Sequence, residues 1–213
     1  MRKRTMVVWI LTLAIAISVH AVTAAMPTIW LHALISAMVS LVIAVLAVRE
    51  NEKPVTSDGD VYALSASNAH YMGVVWSWAA VTIALTYGLV LQWPEWWHFV
   101  LPFGAAAILC LCFANLMTKG AENTTPERAL KISRFLAIVQ MVGALAVIAG
   151  LILGGKLPFL SGTPSAQAAR EWAANDVIFF GATALSAIGF AALRSYNRAL
   201  GAGLGEPAAA ISK

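Results

Sequence analysis

The sequence predicts an all-α integral membrane protein: a bundle of six transmembrane helices, with both termini in the cytoplasm and short interfacial helices. The first observation is composition, since 60% of the 213 residues are hydrophobic and only 11% are charged, against about 25% charged residues in a soluble domain. The second is a set of six apolar windows, and the third is the unequal charge of alternate loops. Together they exclude a soluble enzyme, a disordered chain, a disulfide scaffold and a nucleic-acid binder.

The six windows form one predicted transmembrane domain over residues 1–213. Each approaches the 20 or so apolar residues that a helix needs to cross a bilayer, and charged side chains occur only at their ends. The predicted spans are 6–25, 28–48, 72–92, 97–117, 132–153 and 176–193. The first window also resembles a signal peptide, because Arg2-Lys3-Arg4 precede it and Val22-Thr23-Ala24 offers a small-residue cleavage site. Its apolar stretch is long for such a signal, which favours a retained helix.

Basic residues predict the orientation, because cytoplasmic loops are enriched in Lys and Arg. The two termini and the connections between spans 2 and 3 and between spans 4 and 5 contain twelve of the fourteen basic residues. The other three connections contain only Lys156 and Arg170. The net charge of +4 therefore indicates topology rather than an anionic partner, and a bacterial inner membrane is the expected location.

Three polar signals predict helix starts close to the membrane surface. Asp58-Gly59-Asp60 precedes span 3, Thr125-Pro126 precedes span 5, and Thr163-Pro164 precedes span 6. A hydroxyl or carboxylate at the N-cap and a proline in the first turn are typical of helix beginnings. We interpret all three as interfacial segments that lead into the spans.

Few polar groups lie within the predicted spans. All ten acidic residues fall in loops or at span ends, Asp176 among them, which argues against a carboxylate-coupled transporter. Asn115 and Gln140 are the main polar groups inside the spans, and interhelical hydrogen bonds account for them. A pathway for a neutral solute near these two residues is an alternative.

Histidines are the candidate ligands for a metal or haem. His20 and His32 lie at similar depth on adjacent predicted helices, and His98 begins span 4 on the same outer side, whereas His70 lies on the cytoplasmic side. Imidazoles in this arrangement could hold copper or the iron of a haem b. No metal-binding spacing is present, so isolated interfacial histidines are the favoured interpretation and no cofactor is assigned.

An aromatic cluster precedes span 4. Trp93, Glu95, Trp96 and Trp97 lie next to His98, where a quinone headgroup could stack on an indole ring. The aromatic belt that anchors helices at headgroup level explains the cluster more simply.

These observations favour a non-catalytic scaffold or accessory subunit of a membrane complex. Small residues recur four apart in the spans, which would allow contact with other membrane subunits or with a second copy, and the lipid bilayer is the remaining partner. A redox protein that binds haem or copper is the first alternative, and a small channel or transporter for a neutral solute is the second.

Overall fold

The computed structural model describes residues 7, 10–12, 14, 15, 17, 18, 29–90, 92–157 and 166–204, with only the backbone of residues 29, 30, 32, 89, 90, 99 and 166–174. This part of the chain is helical and contains no strand. Its long helices are α1 (Ile29–Glu52), α2 (Asp58–Ile83), α3 (Trp96–Thr118), α4 (Pro126–Leu153) and α5 (Ala166–Gly201). A π-helix, Ala84–Val90, continues α2, and a short 3-10 helix, Gly120–Glu122, connects α3 to α4.

Four of these helices contain segments long and apolar enough to cross a membrane. The segments are Ala33–Glu52, Trp96–Thr118, Pro126–Leu153 and Asn175–Gly201, and they coincide with the second, fourth, fifth and sixth predicted spans. The all-helical class is therefore confirmed, and the architecture is that expected of a multi-pass membrane protein. Most of the first predicted span, 6–25, lies outside the described residues.

The third predicted span, 72–92, is not among these four segments, and its helix begins fourteen residues earlier than predicted. We predicted a separate interfacial helix at Asp58 and a span from residue 72, whereas α2 runs without interruption from Asp58 to Ile83. A capping box starts the helix: Ser57 Oγ accepts from the backbone N–H of Asp60, and the Asp60 carboxylate accepts from that of Ser57. Hydrogen bonds from Thr56 and Ser57 hold the pKa of Asp60 below its ordinary value of 3.8. The predicted interfacial segment and the first part of the predicted span are therefore one helix.

Helix α2 lies at the centre of the bundle. Twenty of its 26 residues are buried, and it packs against α1, α3, α4 and α5. Small residues make this close packing possible, since a Cβ atom at Gly73 would lie only 3.4 Å from Cys110 Cβ. By contrast, α3 and α4 expose long apolar faces, with Leu109 69% and Phe135 64% exposed. The interior is therefore organised around α2.

Of the other two predicted helix starts, the one at Thr125 lies within the described residues and leads directly into a long helix. Thr125 caps α4 by accepting from the backbone N–H of Arg128, with Pro126 in the first turn, so this predicted interfacial segment and its span form one helix. The signal at residues 163 and 164 lies outside the described residues. Helix α5 nevertheless runs from Ala166 to Gly201, so residue 176 lies about three turns inside the helix.

Candidate functional site

Asp176 is the most unusual side chain of the described interior. The residue is 0% exposed, and neither carboxylate oxygen has a hydrogen-bond partner within the part of the chain that the structure describes. Burying an isolated charge costs far more than burying an apolar group, unless a proton or another cation compensates it. The site can therefore bind a proton or a small cation.

The register between α2 and α5 gives the level of this carboxylate in the bundle. The two helices are antiparallel, because Asn68 hydrogen-bonds to Tyr196 and Gly181 lies against Val75 and Trp78. Asp176 is five residues, or about 7.5 Å, beyond Gly181 along α5. This places it level with Thr82, close to the point where α2 becomes a π-helix.

The π-helix also packs against α5, and the predicted aromatic cluster lies on it. The backbone N–H of Trp93 donates to the carbonyl of Tyr87 at 2.9 Å, and their rings meet edge to face at 5.8 Å between centroids. A Cβ atom at Gly88 would lie 3.3 Å from the indole of Trp96. Because π-helical turns are frequent at functional sites, this combination of π-helix, tryptophans and buried carboxylate marks a candidate site.

Buried hydroxyls extend from this level towards the other end of the bundle. Five serine or threonine hydroxyls are buried without a hydrogen-bond partner in the described structure: Ser40, Ser65, Thr82, Ser133 and Ser195. Buried polar groups normally have partners, and ordered water supplies them where protein atoms do not. These hydroxyls are therefore buried polar groups to which water molecules can bind.

A hydrogen-bonded network lies at the far end of these hydroxyls. The amides of Asn51 and Asn68 bond reciprocally, at 2.7 and 3.1 Å, and Asn68 Nδ2 also donates to the Tyr196 hydroxyl at 3.0 Å. The Arg198 guanidinium donates to the backbone carbonyl of Asn51 at 2.6 Å. Both amides and the phenol are at least 98% buried. The two amides and the phenol thus join α1, α2 and α5 through buried polar groups, and the exposed Arg198 adds a bond at their edge.

Two hydroxyls complete this end of the interior. Ser65 on α2 and Ser133 on α4 lie beside the Tyr196 phenol, although neither makes a hydrogen bond of good geometry with it. The phenol therefore lies beside polar groups from two other helices, α2 and α4, and a small rearrangement would let it donate to either serine.

Asn115 and Gln140, the two polar residues predicted within the spans, lie apart. Gln140 Oε1 accepts from the indole N–H of Trp76 at 2.9 Å, an interhelical hydrogen bond between α4 and α2. Asn115 is exposed on α3. The structure does not bring the two residues together.

Of the four histidines that we considered as candidate ligands, the structure describes the side chains of His70 and His98. His98 is half exposed, with its ring 3.5 Å from that of Trp97 and its Nδ1 3.7 Å from a carboxylate oxygen of Glu95. Residue 20 and the His32 side chain lie outside the described residues. His70 is buried and lines a cavity of about 340 Å³ with Ser67 and Lys119. Among the described residues, no three His, Cys, Asp or Glu side chains are grouped as a metal site would require.

No family model, curated protein or solved structure matches this chain. The function of the chain must therefore be inferred from the chemistry of the site itself.

Sequence reasoning did not single out Asp176, Asn51, Asn68 or Tyr196. Asp176 was assigned to a span end, because hydropathy falls at that residue. A signal was nevertheless present, since Thr163-Pro164 already indicated a helix that begins well before residue 176 and would carry the carboxylate inside the bundle. For the other three, 17 and 128 residues separate the partners, and no local pattern relates them.

Proposed function

We propose that this protein moves protons across the membrane through its helical interior, with Asp176 as the group that binds and releases them. One observation carries the proposal: a completely buried carboxylate whose two oxygens lack partners in the described structure. Ionisable groups inside membrane bundles commonly mark proton or ion pathways, because their burial is costly without such a role. We predicted Asp176 at a span end and therefore disfavoured a carboxylate-coupled mechanism. The apolar segment Asn175–Gly201 does begin beside this residue, but α5 begins ten residues earlier and the carboxylate is buried.

Of the buried hydroxyls, that of Ser40 lies on the way from the carboxylate to the Asn68–Tyr196 network. Ser40 is eleven residues, or about 16 Å, along α1 from Asn51, between the level of that network and the level of Asp176. Hydroxyls both donate and accept hydrogen bonds, so each can pass a proton along a chain of water molecules. Gaps of this length require such water, which unpartnered hydroxyls would help to hold.

Proton flux into sealed vesicles tests this function. The purified chain is reconstituted with a trapped pH-sensitive dye, and a potassium diffusion potential drives protons inward. We expect flux well above that of protein-free vesicles, loss of more than tenfold in Asp176→Asn, and partial retention in Asp176→Glu. The exposed Glu122→Gln variant is the matched control and should conduct like wild type. Flux equal to that of empty vesicles, or full flux in Asp176→Asn, would contradict the proposal.

We further propose the full topology predicted from the charges: six spans, both termini in the cytoplasm, and residence in a bacterial inner membrane. The twelve-to-two distribution of basic residues supports this orientation. It places Asp176 towards the outer side and the Asn51 network towards the cytoplasm, so the polar groups extend from one side of the membrane towards the other.

The exposed faces of α3 and α4 favour a second candidate function, that of an accessory subunit in a membrane complex. A Cβ atom at Gly104, Gly143 or Gly150 would have no neighbour within 4 Å, so a partner helix could approach these surfaces closely. Extraction in mild detergent followed by native mass spectrometry distinguishes the candidates. A stoichiometric partner subunit would support this role, and a chain that purifies alone would oppose it.

A further inference from the structure

A long apolar groove runs along α1, away from the buried carboxylate. Its volume is about 1050 Å³, and it lies between α1 and the described residues of 7–18. Along α1 it extends from Leu31 to Lys53, which is about 33 Å of helix. This length matches the hydrocarbon thickness of a bilayer, and the volume exceeds the usual range of pockets for small molecules.

The groove is apolar along its length and charged at one end only. Its wall on α1 is formed by side chains at helical spacing: Leu31, Ile35, Met38, Val42 and Leu46. The lining charges are Arg49 and Glu50, in the last turn of α1, and Lys53, the first residue after the helix. A ligand that fits this distribution has a long hydrocarbon part and an anionic head.

Arg49 is the group best placed to bind the head. Lys53 is paired with Glu50, with 2.6 Å between Nζ and the carboxylate oxygen. One positive charge at the charged end of the groove, its mouth, is therefore partly neutralised. Arg49 is exposed and takes part in none of the ion pairs of the described residues. A guanidinium binds phosphate oxygens in a bidentate manner, and basic pockets beside membrane helices are typical sites for anionic lipid heads.

We infer that this groove binds an anionic phospholipid, with the acyl chains along α1 and the phosphate at Arg49 and Lys53. A transmembrane helix of another protein would also cover the apolar wall, but an apolar helix would leave Arg49 without a counter-charge. The charge at the mouth therefore favours the lipid. This inference is independent of the proton pathway, because none of the groove residues belongs to that route.

Competition between two lipids tests the site. The full chain is reconstituted in nanodiscs that contain equal amounts of phosphatidylglycerol and phosphatidylcholine with the same acyl chains. The lipids that stay bound after release into mild detergent are then counted by native mass spectrometry. We expect wild type to retain phosphatidylglycerol at least about fivefold more than phosphatidylcholine, as one surface cation implies. The double variant Arg49→Gln/Lys53→Gln should bring this ratio close to one.

A matched control exists on α4. Arg128→Gln/Lys131→Gln removes the same two charges, and Lys131 is likewise paired with a carboxylate, that of Glu127, at 2.6 Å. This control should keep the wild-type lipid ratio. Met38→Trp, which fills the groove without changing its charge, should reduce the retention of both lipids.

Three results would overturn the inference. Wild type could show no preference for phosphatidylglycerol, the control could lose the preference as fully as the groove variant, or a second polypeptide could occupy the groove in place of lipid. The exposed positions of the substituted cations mean that none of these variants depends on repacking the interior.

Discussion

Asp176 illustrates how a single residue can be unfavourable for stability and still be completely buried in a helix bundle. A buried polar group without a hydrogen bond costs about 1–3 kcal/mol relative to a paired one. Sites that keep such a cost are typically functional, because substitution alone would remove it. The carboxylate is thus the least favourably buried group of the described interior and also the best candidate for a functional residue.

Replacing this carboxylate separates stability from activity. Asp176→Leu keeps the branched arrangement of the side-chain atoms and removes the unpaired oxygens, so we expect its free energy of unfolding to rise by about 1–2 kcal/mol while proton flux is lost. Thermal unfolding in detergent measures the first effect, with Asp176→Asn as the polar control that gains no stability. A leucine variant less stable than wild type would show that the carboxylate has a partner and would contradict the proposed site.

The paired amides of Asn51 and Asn68 contrast with Asp176, because they are buried polar groups that have hydrogen-bond partners. Each amide has its partners, so the pair holds two helices in register without leaving a polar group unsatisfied. Side-chain hydrogen bonds of this kind contribute about 0.6 kcal/mol on average within membranes. Their main effect here is to fix the position of Tyr196 relative to α2.

At the scale of elements, α2 is more deeply buried than its mean hydropathy would suggest. Its serines, Asn68 and His70 lower the mean hydropathy, yet the helix is covered by neighbours on nearly every side. Small polar side chains are tolerated there because they occupy little space and find acceptors on the helix backbone or on other helices. A sequence window registers only the polarity, and so residues 58–71 were predicted to lie outside the span.

Glycines decide how closely helices approach, and α5 offers a direct test. A Cβ atom at Gly189 would lie 3.0 Å from Met141 Cβ and 3.1 Å from the Ala137 carbonyl oxygen, whereas one at Gly143 would lie in open space. Both substitutions to alanine gain the same helix propensity. We expect Gly189→Ala to be less stable than Gly143→Ala by about 2 kcal/mol, because α4 and α5 must separate to accommodate it.

Unfolding of the two variants in parallel measures this difference directly. Equal stabilities would mean that the contact between α4 and α5 is looser than the structure indicates. Wild type serves as the common reference, and Gly143→Ala should match or slightly exceed it.

At the scale of the whole molecule, the proposed topology decides which end of the polar interior faces the cytoplasm and which end faces the outer side of the membrane. Cysteine labelling tests this in a background of Cys110→Ser and Cys112→Ser. Asn123→Cys and Lys156→Cys introduce thiols at exposed positions beyond opposite ends of α4. We expect a membrane-impermeant maleimide to label Lys156→Cys in intact cells and Asn123→Cys only after permeabilisation. The reverse pattern would invert the orientation, and labelling of both in intact cells would contradict a membrane-spanning α4.

By itself the sequence determined the class of the molecule and the positions of four apolar helices, because hydropathy is a sum over neighbouring residues and any window can measure it. The helix starts near Asp58 and at Thr125 were predictable for the same reason, since each cap bonds within its own turn, although the cap of α2 is Ser57 rather than an aspartate. The orientation stays a prediction from the distribution of basic residues.

Only the tertiary structure decided which polar groups are buried and which of them meet. Asp176 became a buried carboxylate through the packing of α5 against its neighbours, and Asn68 met Tyr196 across 128 residues of sequence. The lipid groove likewise depends on two segments that lie side by side. Burial and hydrogen bonding depend on distances between helices, and such distances are set by packing rather than by the order of residues along the chain.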